Sequence, residues 1–117
     1  MGKLFGKSEI VGSADRYGTT GASMVRYQGK YYLFYIGIPT QGYEGFPCRL
    51  CLAVNDNLSP NGWIRNGVVI DNDQSIDWTN KQVYHSFFMK KNDLWYCFFN
   101  AHGTVNGFSS ERTGFLG

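Results

Sequence analysis

Residues 22–53 and 86–117 are one stretch written twice. At an offset of 64, Tyr31-Tyr32-Leu33-Phe34-Tyr35 falls on Trp95-Tyr96-Cys97-Phe98-Phe99, and Arg49-Leu50-Cys51-Leu52-Ala53 on Thr113-Gly114-Phe115-Leu116-Gly117, with no gap. A repeat of this kind, short aromatic runs separated by Gly-rich turns, leaves each unit with apolar faces it cannot bury alone. Units must therefore stack, as they do in propellers and arrays. What such a chain does is set by what its repeated strands present to a shared surface.

Composition agrees with an all-β fold. Aromatics are 17% of the 117 residues, with 15 Gly and only 3 Pro, which suits strands carrying bulky rings and turns needing positive φ. One domain of this length buries roughly two thirds of its unfolded surface. The net charge of +2, with no basic run longer than Lys90-Lys91, excludes the electrostatic footprint of a nucleic-acid binder. No apolar stretch reaches the roughly 18 residues of a membrane helix. Met1–Gly6 runs into polar sequence too early for a secretory signal, so the chain reads as soluble and unprocessed, with its compartment unassigned.

Cys48, Cys51 and Cys97 make an odd count. The Cys48-Arg49-Leu50-Cys51 spacing sits where the repeat predicts a strand, and there positions i and i+3 lie ~10 Å apart on opposite faces, too far for a disulfide. A zinc site needs further ligands, and only His85 and His102 are available, neither in a second C-x-x-C. The reading is buried thiols, with metal or redox chemistry as the alternative; no cofactor and no metal are expected.

Along the chain, Ser23–Tyr27 and Tyr31–Ile36 read as strands joined by the hairpin turn Gln28-Gly29. A Gly37–Pro47 loop follows, then strands Cys48–Val54 and Trp63–Ile70, separated by turn chemistry at Asn55-Asp56-Asn57 and Pro60-Asn61-Gly62. The second unit repeats the order: Phe87–Lys90, a turn at Asn92-Asp93, Leu94–Phe99, a loop over Asn100–Ser110, and Arg112–Leu116. Its fourth strand is missing. Glu9-Ile10-Val11-Gly12 is the candidate for such a strand, preceding the first unit as Val68–Asp71 precedes the second. The expected organisation is a fourth strand of a preceding blade plus loop (1–21), a complete blade (22–71) and an incomplete blade (72–117).

Gln28-Gly29-Lys30-Tyr31-Tyr32-Leu33-Phe34-Tyr35, followed by Cys51-Leu52-Ala53-Val54-Asn55-Asp56 and Gly62-Trp63, resembles the blade signature of the five-bladed β-propeller glycoside hydrolases, the superfamily of glycoside hydrolase family 43. Glu111–Gly117 is similar to the same third strand in the next blade. The resemblance covers roughly residues 9–117 and speaks to fold more than to substrate. It implies a carbohydrate site at the mouth of a central tunnel, lined by the beginnings of the innermost strands. In family 43 a W-A-P-D motif supplies an orienting Asp there and E-G-P the general acid. Those places fall here on Ser23 and Tyr84, so both carboxylates are absent.

Glycoside hydrolysis by the usual route needs two carboxyl groups about 5–9.5 Å apart. A Tyr of pKa ~10 is a poor acid at neutral pH, whereas His85, titrating near ~6.5, can replace it. Asp15 and Asp77 are the available partner carboxylates, as base or orienting group. Ser23, Tyr84 and Ser86 are the expected polar lining, with Trp78 to stack on a sugar face. Each has an ordinary structural alternative: a hydrogen-bonded His85, an ion-paired Asp15, a Trp78 that closes a loop, a solvent-facing His102.

Two blades alone leave lateral faces and a strand edge that soluble monomers avoid exposing. Either the chain is part of a longer propeller or copies associate head to tail, one chain's N-terminal strand completing another's last blade. Three functions stay open: a carbohydrate-recognising module, weakly active or inactive alone; an active glycosidase assembled from several chains or a longer protein; and a structural module without a sugar site.

Overall fold

The computed structural model describes residues 5–42, 47–72, 79–106 and 108–116, with side chains for all of these except His85, 108–111, Phe115 and Leu116. Among the described residues there are seven strands and no helix: β1 (Gly18–Tyr27), β2 (Lys30–Ile38), β3 (Arg49–Asn55), β4 (Ile64–Ile70), β5 (Gln82–Lys91), β6 (Leu94–Val105) and β7 (Phe108–Leu116). They form two antiparallel meanders, β1-β2-β3-β4 (sheet 1) and β5-β6-β7 (sheet 2). Each sheet is a propeller blade, the second with three strands.

Turn chemistry fixes the registers. Gln28 and Gly29 both have positive φ (49° and 80°), as do Asn92 and Asp93 (52° and 62°), which is the type I′ geometry that matches the strand twist. Tyr27 therefore pairs with Lys30 and Lys91 with Leu94, positions 64 apart. Between β3 and β4, Asn55 organises the loop: its Nδ2 donates to the Ser59 carbonyl (2.8 Å) and its Oδ1 accepts from Asn57 N–H (3.1 Å). A Cβ on Gly62 would come within 2.6 Å of Asn55 Oδ1, so a larger residue there would push the Asn55 amide off these bonds.

Strict alternation sorts the side chains into two cores. Leu50, Val83, Cys97, Phe99 and Ala101, with Phe34, Ile70 and Phe88 against them, fill the space between the sheets. Phe34 stacks on Phe88 at 3.8 Å between ring centroids, 28° from parallel, an aromatic pair worth roughly 0.5–1.5 kcal/mol beyond its burial. The other face of sheet 1 carries Leu33, Tyr35, Cys51 and Ala53, and the N-terminal segment covers them with Phe5 and Ala14. Phe5 meets Tyr35 and Trp63 edge-on, at 4.8 and 5.9 Å. Gly37 admits this segment, since a Cβ there would lie 2.8 Å from the Ala14 carbonyl oxygen and 2.9 Å from Cys51 Sγ.

Three expectations change. Glu9–Gly12 is not a strand: the backbone N–H and hydroxyl of Ser13 both donate to the Ile10 carbonyl (3.2 and 2.8 Å), closing a turn that leaves Ile10 and Val11 71% and 86% exposed. The repeat itself explains this, because the offset of 64 carries Ile70, the end of β4, onto Gly6 and carries the 71–81 connection onto residues 7–17. The equivalence extends to hydrogen bonding: Tyr17 N–H donates to the Ile38 carbonyl (2.9 Å) and Lys81 N–H to the His102 carbonyl (3.0 Å). Asn100–Ser110 is not a loop either. β6 and β7 run through it as one long hairpin, with Gly103 opposite Ser110 and Val105 opposite Phe108. Asn106, at φ 51°, takes the left-handed conformation at the tip. The first blade likewise begins at Gly18 rather than at residue 22.

Candidate functional site

β1 and β5 are the first strands of their sheets, and each carries a bulge at the same repeat position. In β1 the register shifts between Thr20 and Ser23, around Gly21 at φ 57°; in β5 it shifts between Tyr84 and Ser86, so that His85 is the extra residue. A bulge bends its strand and re-aims the side chains beside it. Here the consequence is a contact across the sheets: Ser23 Oγ lies 3.4 Å from Ser86 Oγ, either one able to donate. Both serines are half-buried, as is Tyr84 before the bulge, which is also engaged with a neighbour. The structure thus unites Ser23 and Ser86, 63 residues apart, and sets Tyr84 and the His85 backbone on the same strand segment. The His85 side chain, Asp77 and Trp78 lie outside the described residues.

Asp15 is elsewhere. It is 4% exposed and sits against Tyr35, on the face of sheet 1 turned away from sheet 2. Tyr35 Oη donates to Asp15 Oδ2 at 2.8 Å, and Arg65 Nη1 pairs with the same oxygen. Arg65 also donates through Nη2 to the Gly6 carbonyl and lies over the Phe5 ring, 4.2 Å from its centroid. Asp15 therefore fastens the N-terminal segment to the blade. Burial, and secondly the Asp15 carboxylate, push the Tyr35 hydroxyl above its ordinary range, so it stays a donor at all physiological pH. Arg65, the partner that sequence reasoning missed, carries no motif; only the β3–β4 register places it beside residue 15.

None of the three cysteines is in a disulfide, and all three are buried. Burial pushes the Cys51 thiol up to about 11, helped by the Asp15 charge, and burial alone does the same for Cys97. Protonated, enclosed thiols neither ligate metal readily nor attack substrates. Among the described residues no three His, Cys, Asp or Glu side chains gather as a metal site would require. No described helix is long and apolar enough to cross a membrane.

A second feature lies toward the C-terminal end of β1. A cleft of about 270 Å³ between the sheets is lined by Val25, Tyr27, Tyr32, Phe34, Phe88 and Trp95. Tyr27 and Trp95 meet edge-on at 5.6 Å, and Lys90 Nζ stands 5.2 Å from the centre of the Tyr27 ring.

No family model matches this chain, and no curated protein does. Two solved structures share its fold. One, described as a complex of BT0996 and RGII, superposes with a TM-score of 0.70 at 21% identity, over 92% of this chain and 38% of that one. Another, named "Glycoside hydrolase", gives 0.68 and 21% over the same shares. The chain spans 38% of the length of each, and what it has in common with them is the all-β blade architecture.

Proposed function

We propose that the chain is a carbohydrate-recognising β-propeller module, weakly active or inactive as a hydrolase by itself. The observation that supports this best is the pair of matched bulges, which turns Ser23 and Ser86 toward each other on the first strands of the two sheets and places Tyr84 and His85 on the same segment. Hydroxyls grouped at one point suit a polyol ligand, and the fold is related to that of glycoside hydrolases. Trp78 supplies the aromatic face for stacking, and copies of the chain associate to complete the ring around the site.

An active glycosidase with His85 as acid is the second reading. Asp15 serves it poorly as base, since its carboxylate is already taken by Tyr35 and Arg65 on the opposite face of sheet 1; Asp77 is the remaining carboxylate. The third, a structural module, needs only the blade cores.

A glycan array probed with wild type, Ser23→Ala, His85→Ala and Trp78→Ala, beside release of chromogenic glycosides, separates the three. Binding by wild type that falls at least tenfold in the variants, without turnover, is the expected result. Turnover with a bell-shaped pH profile that collapses in His85→Ala establishes the enzyme instead. Neither binding nor turnover leaves the structural module.

A further inference from the structure

Five of the six side chains that line the cleft between the sheets are aromatic, and the sixth is Val25. The cleft lies between two ring pairs that cross from sheet to sheet, the Phe34–Phe88 stack and the edge-on Tyr27–Trp95 pair. Tyr32, the strand partner of Val25, completes the wall on sheet 1. An apolar cavity of about 150 Å³ is enough to hold benzene, so the 270 Å³ here admits one ring or two fused ones.

Charge stands at one end of this apolar space. Lys30 is the strand partner of Tyr27 and shares a face of sheet 1 with Tyr32 and Phe34, because alternate residues of a strand point the same way. Lys90 is the strand partner of Trp95, and its ammonium stands 5.2 Å from the centre of the Tyr27 ring. The two lysines therefore flank the same end of the cleft, one from each sheet. Neither is firmly engaged. Lys30 Nζ is 4.0 Å from Asp56 Oδ1 and Lys90 Nζ is 3.8 Å from Asp93 Oδ1, and those aspartate side chains are 83% and 99% exposed. Ion pairs of that length between solvated groups contribute little, so another anion can replace either carboxylate.

Walls and charge together select a ligand. A sugar needs partners for several hydroxyls, and burying them against rings without partners is costly. A cation would be repelled by both lysines, and Lys90 already stands over the Tyr27 ring. A flat ring suits the walls, and an acid on that ring suits the ammonium groups. We infer that the cleft binds a small aromatic acid, one or two fused rings bearing a carboxylate. The ring lies between the Phe34–Phe88 and Tyr27–Trp95 pairs, and the carboxylate meets Lys30 and Lys90 in place of Asp56 and Asp93. Ser23 and Ser86 do not line this cleft, so the site is separate from the one proposed for carbohydrate and stands or falls apart from it.

The probe is naphthoate, with naphthylmethanol as its neutral analogue and naphthylmethylamine as its cationic one. Titrated into isotope-labelled protein, naphthoate should shift the indole N–H resonance of Trp95 and leave that of Trp63, which packs on the other face of sheet 1, in place. Calorimetry should find the alcohol about tenfold weaker than the acid, and the amine weaker still. Replacing both lysines, Lys30→Gln with Lys90→Gln, should bring the acid down to the affinity of the alcohol; these side chains are 55% and 42% exposed, so the fold tolerates the change. Val25→Trp, which fills the cleft, should abolish binding. Should that variant not fold, the wild-type resonances and the lysine variant decide. A Trp95 resonance unmoved by the acid, equal affinity for all three probes, acid binding unchanged in the lysine variant, or a glycan that moves Trp95 where naphthoate does not, would each overturn the inference.

Discussion

Asp15→Ala tests whether the buried carboxylate is a fastener or a catalytic group. The substitution leaves the Tyr35 hydroxyl, in a side chain 1% exposed, without its acceptor, and an orphaned buried donor costs roughly 1–3 kcal/mol. It also frees Arg65, whose side chain is 30% exposed. Water rehydrates that guanidinium, so its share is discounted to about 1 kcal/mol or less. Together the loss is about 1–4 kcal/mol, a shift on the order of 10 °C in the melting temperature of a chain this size. Urea denaturation at fixed protein concentration measures it, with Tyr35→Phe as the partner variant. The phenylalanine removes the donor together with its need for a partner, so it should cost only about 1 kcal/mol and make the added Asp15→Ala less damaging than in wild type. An Asp15→Ala protein that keeps its denaturation midpoint while losing glycoside turnover would refute this account and make Asp15 part of the chemistry.

Gly37→Ala should destabilise by roughly 1–3 kcal/mol, because the new methyl meets the Ala14 carbonyl at 2.8 Å and forces the N-terminal segment outward; increased proteolysis before residue 17 would report the displacement. Phe88→Ala should cost about 2–3 kcal/mol by removing the stack on Phe34 between the sheets, read as a lower urea midpoint. Alkaline titration should unfold the protein. Cys51 and Cys97 hold their protons up to about 11 in the fold against 9.0 for the ordinary thiol, so their contribution is complete below pH 9.0 and is lost as pH rises through 11. Stability that stays constant across that interval, followed by tryptophan fluorescence, would contradict the burial of the two thiols.

Much of the architecture was written in the repeat. Period-two alternation and the turn residues at 28–29, 55–57, 60–62 and 92–93 locate the strands of both units, because a type I′ turn sets the register and the register sets which face each ring occupies. The alternation at Ala101 and Gly103 and the Asn106-Gly107 pair already signal that β6 continues into a hairpin; the polar residues between them made the stretch read as a loop. Glu9–Gly12 resembled a strand by composition, but a lone apolar pair beside Gly12 closes a turn just as well, and only the offset measured on the strands puts the fourth-strand counterpart before residue 7.

Tertiary structure decided what the local pattern leaves open. Ser23 and Ser86 meet because two bulges bend two strands toward each other, and a bulge is a mismatch between partners that neither strand encodes alone. Asp15 was one of several carboxylates until the fold placed it against Tyr35 and Arg65, 20 and 50 residues away. The sequence determines which side chains share a face, since alternation along a strand is local geometry; which faces meet, and which carboxylate is thereby buried, depends on the stacking of whole sheets.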